Sequence, residues 1–172
     1  GVIAARLLTD KISSTSDILM ARIIHSGKND SNQGKNRREG FCHYLKETGF
    51  TGNLHEVELK INDSVYNFIK LDEIFEANAT IEGGIIFNST CYILGNYLKA
   101  RGMQKVKLVG YDLIERNTQL LSDGVITALV AQRPERQGYD GIKSLCNHLL
   151  FKQTPEKVNL MPIDILLKEN LK

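Results

Sequence analysis

The chain contains two nearly continuous apolar runs, Gly84-Ile-Ile-Phe87 and Val106-Lys-Leu-Val-Gly110, with a helical pattern between them. Such runs are typical of strands that are covered on both faces, as in a parallel sheet. Leu54–Leu59 alternates apolar and polar residues, which predicts a strand at the edge of the same sheet. Two further β-rich segments, Ile18–Ile24 and Val125–Val130, complete a set of five predicted strands.

Helical patterns lie between these strands, so that strand and helix alternate along the chain. The predicted helices are Val2–Lys11, Arg37–Thr48, Asp63–Ala77, Thr90–Arg101, Glu115–Leu121 and Pro134–Phe151. This alternation predicts an α/β, Rossmann-like fold with a parallel sheet, right-handed crossovers and helices on both faces. The first helix precedes any strand, so its partner strand is expected to be missing. The tail, Val158–Leu167, is expected to be extended and, because of Pro162, to lie at an edge or a crossing point.

Composition limits the possible functions. The 172 residues suffice for one well-buried domain, and 42% apolar with 24% charged residues is typical of a soluble globular protein. The 22 basic and 20 acidic residues are interspersed, so the chain itself lacks the basic surface that nucleic-acid binding needs. It shows neither a membrane-span pattern nor a signal peptide, and it does not begin with Met, so we expect a processed or truncated chain.

Cysteine and histidine spacing gives no metal or disulfide pattern. Cys42, Cys91 and Cys146 are far apart and form no Cys-x-x-Cys pair, which fits reduced core residues in a cytoplasmic protein. The histidines have no metal-ligand spacing; they are His25, His43, His55 and His148. Dinucleotide, phosphate-loop and serine-nucleophile motifs do not occur. We therefore predict no catalytic constellation, no metal and no cofactor.

In an open parallel sheet the functional crevice lies beyond the carboxyl ends of the strands. The residues that follow the predicted strands are mostly neutral hydrogen-bonding groups with one carboxylate. They are His25, Ser26, Lys60, Ile61, Asn62, Asn88, Ser89, Thr90, Asp112 and Gln132. Amides and carboxylates pair well with the vicinal hydroxyls of sugars, and nothing in this set activates a nucleophile.

Several of these residues have a structural alternative. Asp112, and one of Ser89 and Thr90, could cap the helix that follows, whereas Gln132 is a poor cap and is expected to face the crevice. Arg37 and Arg38 stand at the start of a predicted helix, where positive charge is unfavourable. They are therefore either solvated or paired with a ligand or an acid.

Four segments resemble motifs of the lactose-repressor and ribose-binding-protein superfamily, in the order in which that family has them. Arg37-Arg-Glu-Gly-Phe41 resembles Arg-x-x-Gly-Phe, and Val106–Asp112 resembles the Val-x-Gly-Tyr/Phe-Asp strand. Gln132–Gly138 is similar to Gln-x-Pro-x-x-x-Gly, and Ile86–Gly95 is similar to Phe-x-x-Asn-Asp…Ala-x-Gly.

The resemblance implies a periplasmic-binding-protein-like fold of type I from which much of one lobe is missing. Residues 1–131 would form the second lobe, residues 132–157 a helix of the first lobe, and residues 158–172 the return crossing and tail. A sugar-like effector would then be bound by Arg37, Asn88 or Ser89, Asp112 and Gln132. Ser89 and Thr90 stand where the family usually has Asn-Asp, so the pocket carries less charge. The same difference leaves open whether Asn88 or Ser89 is the residue that contacts the ligand.

The resemblance implies a cytoplasmic transcription regulator that is not an enzyme and does not bind a membrane. It would form a homodimer, for which helix faces such as Thr90–Arg101 are candidates, and would contact DNA only through an absent N-terminal domain. The main alternative is a periplasmic sugar-binding protein of a transport system. An enzyme on the same fold is a third possibility, because fold does not determine function.

Overall fold

The computed structural model describes residues 1–24 and 31–171. Its centre is a six-stranded sheet with the order β2-β1-β3-β4-β5-β6. The strands are β1 (Asp17–Ile23), β2 (Leu54–Leu59), β3 (Ile81–Ile86), β4 (Lys107–Tyr111), β5 (Ala128–Ala131) and β6 (Asp164–Leu166). The pairs among β1 to β5 are parallel, and only β6 runs antiparallel to its neighbour β5. The predicted parallel α/β fold is confirmed, as is the edge position of the alternating strand β2.

Helices connect successive strands and cover both faces of the sheet. They are α1 (Val2–Thr9), α2 (Asn32–Glu47), α3 (Ser64–Ala77), α4 (Tyr92–Ala100), α5 (Glu115–Ser122) and α6 (Pro134–Phe151), followed by a short 3-10 turn at Lys168–Asn170. None of the helices in the described ranges is long and apolar enough to cross a membrane.

Two apolar clusters hold the layers together. On one face, α3, α4 and α5 pack on the sheet through side chains such as Leu71, Leu94 and Leu121. On the other face, α1 and α2 pack through Leu8 and Phe41, both of which are fully buried. Burial of this kind contributes about 25 cal/mol per Å² of apolar surface, so both clusters stabilise the fold.

The structure corrects one of the sequence predictions and bears on two others. Helix α2 begins at Asn32, where the Ser31 hydroxyl accepts a hydrogen bond from Gly34 N (3.1 Å), so the prediction that a helix starts at Arg37 was wrong. Helix α1 packs on the sheet and against α2, and the prediction that its partner strand is missing stays a prediction. In the tail, only Asp164–Leu166 is strand, and it lies at the expected edge.

Helix α6 differs from the other long helices because none of its residues is buried. Its exposed apolar side chains include Ile142 (67%), Leu145 (56%), Leu149 (57%) and Phe151 (67%). Apolar residues at helical spacing normally face a core, because an amphipathic helix gains stability by burying its apolar side. The apolar side of α6 therefore has no packing partner within the described residues.

A buried polar cluster ties the amino ends of the central strands together. Asp17, only 5% exposed, accepts hydrogen bonds from Thr80 Oγ1 (2.7 Å) and Asn53 N (2.7 Å), and its Oδ2 lies 2.9 Å from His55 Nε2. Hydrogen bonds from His55 and Thr80 lower the pKa of Asp17 from 3.8 to about 2. The ionised carboxylate therefore links β1, β2 and the start of β3.

Replacing Asp17 by Asn should destabilise the protein at neutral pH, because the charge-assisted bonds are lost. We expect a cost of roughly 1–3 kcal/mol, or a fall in Tm of about 3–8 °C. Because the folded pKa lies below the unfolded one, the stabilisation is present above pH 4 and is lost as the pH falls from about 4 to about 2. Thermal melts from pH 2 to pH 7 measure both effects.

Glu73→Gln is the matched control, because this carboxylate is exposed and pairs with the exposed Lys70. Its Tm should change by less than about 1 °C. A Tm for Asp17→Asn that equals the wild-type value at pH 7 would contradict the assigned role.

Candidate functional site

The Arg37 side chain is buried at the carboxyl edge of the sheet, beside the ends of β3 and β4. It projects from α2 and is only 10% exposed, and its Nη1 donates to the Phe87 carbonyl oxygen at 2.9 Å. Its guanidinium lies 4.0 Å from the centroid of the Tyr111 ring, and its Nη2 lies 3.8 Å from Asp112 Oδ1. We predicted that this arginine would be either solvated or paired with a ligand or an acid, and the structure shows the pairing with an acid. Arg37 does not, however, begin a helix. Arg38 is exposed and pairs with Glu56.

Asp112 has a left-handed backbone, with φ of 67°. For a residue other than glycine this conformation costs energy and is often found at functional sites. The alternative that Asp112 caps the next helix was wrong, because α5 is capped at Ile114 without any side-chain bond. Its side chain is 34% exposed and faces Arg37, so the carboxylate can accept further hydrogen bonds.

The turn after β3 uses Asn88 in a structural bond. Asn88 Oδ1 accepts from Thr90 N (2.9 Å) and from the Thr90 hydroxyl, which shapes the turn before α4. The expected capping by Ser89 or Thr90 is not found, because α4 is capped at Cys91 with no side-chain bond. In this turn, the amide nitrogen of Asn88 and the hydroxyl of Ser89 can form hydrogen bonds with a ligand.

Asn117 holds the two strand ends together and was missed in the sequence. It is fully buried in α5, and its Nδ2 donates to the carbonyl oxygens of Ser89 (2.9 Å), Tyr111 (3.0 Å) and Asp112 (3.2 Å). Its Oδ1 accepts from Tyr92 N at 2.9 Å. The sequence did carry a signal for this role. Asn117 precedes Leu120 by three positions and Leu121 by four, which places a polar residue on the apolar side of the helix.

A cavity of about 450 Å³ opens beside Arg37. Gln132, which follows β5, lines it, and its Oε1 lies 3.3 Å from Gln137 Nε2. The cavity is lined by Gly1, Ile3, Gln33, Asn36, Arg37, Tyr111, Val130, Gln132 and Ile163.

A second cavity, of about 420 Å³, is lined by the turn after β3, including Phe87, Asn88, Ser89 and Thr90. Arg37 and Gln132 therefore line one cavity and Asn88 and Ser89 the other, and the bond between Arg37 and the Phe87 carbonyl links the two. Asp112 lines neither cavity, although its Oδ1 lies 3.8 Å from Arg37 Nη2.

The remaining residues that follow predicted strands make other contacts or lie outside the described residues. Lys60 pairs with Asp63 at 3.7 Å and lies over the Tyr66 ring, while Ile61 lines the second cavity. His25 and Ser26 lie outside the described residues. Among residues 1–24 and 31–171, no group of three His, Cys, Asp or Glu side chains is placed to hold a metal ion.

Residues 1–153 match the family model of a periplasmic binding protein domain. No curated protein matches the chain. A candidate LacI transcriptional regulator from Bacteroides fragilis is 40% identical, with a TM-score of 0.91 over 98% of this chain and 58% of that structure.

Two sugar complexes share the fold at lower identity. One is an ABC transporter solute binding protein from Agrobacterium vitis bound with alpha-D-tagatopyranose (21% identity, TM-score 0.80, 98% of this chain and 55% of that one). The other is a carbohydrate transporter solute binding protein from Agrobacterium radiobacter in complex with D-arabinose (24%, 0.74, 98% and 58%). The chain thus spans little more than half the length of the structures that it matches.

The left-handed backbone of Asp112 predicts an unusual order of stability among its variants. Asp112→Gly should be more stable than Asp112→Ala by about 1 kcal/mol, because only glycine adopts a positive φ without a steric penalty. Denaturant unfolding of the two variants measures the difference.

The same pair of substitutions at Asp123 is the control, because that residue has φ of −71°. There alanine should be at least as stable as glycine. Equal stabilities of the two Asp112 variants would show that the left-handed conformation carries no strain.

Proposed function

Because this chain belongs to the periplasmic binding protein domain family, we propose that it forms one lobe of a two-lobed sugar sensor and binds a small carbohydrate in the cleft between the lobes. The observation that carries this proposal is the arrangement of Arg37 and Asp112 at the carboxyl edge of the sheet. Arg37 is held in place by a carbonyl and an aromatic ring, while the facing carboxylate caps no helix.

The groups at this edge have the chemistry that sugar hydroxyls require. An arginine has five N–H donors, and Phe87 engages one nitrogen, so other donors of Arg37 can reach a ligand oxygen. Asp112 would accept from ligand hydroxyls, Asn88 or Ser89 would add a neutral contact, and Gln132 would reach the ligand from the return crossing. Buried donors and acceptors that are already oriented lose little entropy when the ligand binds.

The division of the chain between lobes forms part of the proposal. Residues 1–131 would belong to the second lobe, residues 132–157 to the first lobe, and residues 158–172 to the final crossing and tail. Support comes from the exposed apolar face of α6, since a helix of the other lobe would be left without its partner in this chain.

We favour a regulator over a transport protein because the relative at 40% identity is named as a LacI transcriptional regulator. The sugar would shift the balance between open and closed lobes and thereby change DNA affinity through a separate domain. With a net charge of +2, this chain would not itself hold DNA. The regulator would be cytoplasmic and would not catalyse a reaction.

A homodimer is also part of this proposal. The exposed positions of α4, the helix predicted to pair, include Asn96 and Lys99, whereas α3 exposes Val65 (70%) and Ile69 (52%) one turn apart. The α3 surface is thus the better candidate for pairing, and the mass in solution decides between one copy and two.

The alternative is a periplasmic sugar-binding protein of a transport system, which the two sugar-bound structures favour. The residues that precede Gly1 in the gene separate the two. A helix-turn-helix there supports the regulator, and a secretion signal supports the transport protein.

The two-lobed protein is here the longer protein that contains both lobes. Asp112→Ala should weaken sugar binding to it by roughly 1.5–3 kcal/mol, which is about 10- to 150-fold in Kd. The loss arises because a charged acceptor is removed from the ligand hydroxyls. Calorimetry with D-tagatose, D-arabinose and D-allose measures it. Asp123→Ala is the control, because this carboxylate pairs with Lys99 and not with Arg37, and it should leave the affinity unchanged. An unaltered Kd for the Asp112 variant would remove this residue from the site.

Leu145→Ala and Leu149→Ala should destabilise the two-lobed protein but not the 172-residue chain. In the two-lobed protein each leucine would be buried, so each truncation should cost about 2–3 kcal/mol, whereas both are more than half exposed here. Leu45→Ala, at a buried position of α2, is the control and should destabilise both forms. Equal effects of the α6 variants in both forms would contradict the lobe assignment.

A further inference from the structure

The hydroxyl of Tyr111 is the one buried side-chain N or O atom without a hydrogen-bond partner in the described part of the chain. The residue is only 3% exposed and stands at the end of β4, in the apolar cluster beneath α1 and α2. A buried hydroxyl without a partner costs roughly 1–3 kcal/mol, and for that reason native proteins rarely leave one unpaired.

The ring of Tyr111 needs no hydroxyl for its structural role. Its face supports the Arg37 guanidinium at 4.0 Å, and its edges pack among apolar side chains. Phenylalanine would fill the same space and offer a similar aromatic face to Arg37. In the ligand-free lobe the hydroxyl therefore adds only an energetic cost.

Tyr111 also lines the cavity of about 450 Å³ that contains Arg37 and Gln132, two of the proposed sugar contacts. Burial raises the pKa of the Tyr111 phenol to about 12, so the group keeps its proton at physiological pH. A phenol in this state donates one hydrogen bond and can accept another, as a sugar hydroxyl also does.

We infer that Tyr111 is a specificity-determining residue whose hydroxyl bonds to one particular hydroxyl group of the bound carbohydrate. This inference depends on the proposed function, and it adds that the ligand must carry a hydroxyl group where it meets Tyr111. A site built around such a bond discriminates against a ligand that lacks the hydroxyl, because the buried phenol is then left unpaired.

The test combines Tyr111→Phe with single deletions of ligand hydroxyls. The sugar that binds best among D-tagatose, D-arabinose, D-allose and D-ribose is chosen for the two-lobed protein, and each of its monodeoxy forms is then titrated by calorimetry. Tyr111→Phe should weaken binding of the parent sugar roughly three- to tenfold. One monodeoxy form should bind less tightly than the parent to the wild type but almost equally tightly to the variant, which identifies the partner hydroxyl.

Tyr97→Phe is the matched control. The Tyr97 hydroxyl donates to Asp72 Oδ1 at 2.9 Å, and this residue lines neither the cavity beside Arg37 nor the one beside Asn88. This variant should lose thermal stability and keep its sugar affinity. Tyr111→Phe should show the reverse, with a Tm equal to or above that of the wild type because no bond is lost in the free protein.

Two results would overturn the inference while leaving the proposed function in place. One is an unchanged affinity of Tyr111→Phe alongside a weakened Asp112→Ala. The other is a loss of the same size for the parent and every monodeoxy form, which would show that the hydroxyl acts without touching the ligand. If the wild type binds none of the four sugars, the proposed function itself fails for those ligands.

Discussion

The candidate site depends on one buried guanidinium. Arg37 enters from α2 and is held between the Phe87 carbonyl at the end of β3 and the Tyr111 ring at the end of β4. The nearby Asp112 carboxylate partly balances its charge. A buried charge is costly unless it is paired and hydrogen-bonded, so these contacts fix the place of the arginine before any ligand arrives. The order of strands in the sheet makes this possible, because β3 and β4 are neighbours.

The ends of these two strands are in turn held by residues that would not touch a ligand. Asn117 bonds to backbone carbonyls on both sides, and Gly110 allows Cys91 to lie directly against β4, where any side chain would clash. The position of Asp112 is thus determined by its neighbours, which can offset the cost of its left-handed backbone. In the proposed site these contacts orient the side chains before a ligand binds, which lowers the entropy cost of binding.

The sequence was sufficient for the architecture, because apolar runs such as Gly84–Phe87, separated by helical patterns, are typical of covered parallel strands. It also placed Asp112 and Gln132 at one edge, since the carboxyl ends of parallel strands meet there. Arg37, which lies on α2, entered the predicted site only through the resemblance of its motif. It failed at the start of α2, where Ser31 caps a polar first turn that carries no hydrophobic period. The apolar side of α5 gave a weak signal for Asn117, but its bonds to distant carbonyls could not be predicted from the sequence. The unpaired Tyr111 hydroxyl gave no signal, because its role depends on a contact that is absent.

We propose above all that Arg37 and Asp112 together bind the hydroxyls of a sugar. The most direct test is a crystal structure of the two-lobed protein with the best-binding sugar in place. We expect ligand oxygens within about 3.2 Å of an Arg37 nitrogen and of an Asp112 carboxylate oxygen, with Arg37 still bonded to the Phe87 carbonyl. A sugar bound elsewhere, with neither side chain in contact, would contradict this proposal.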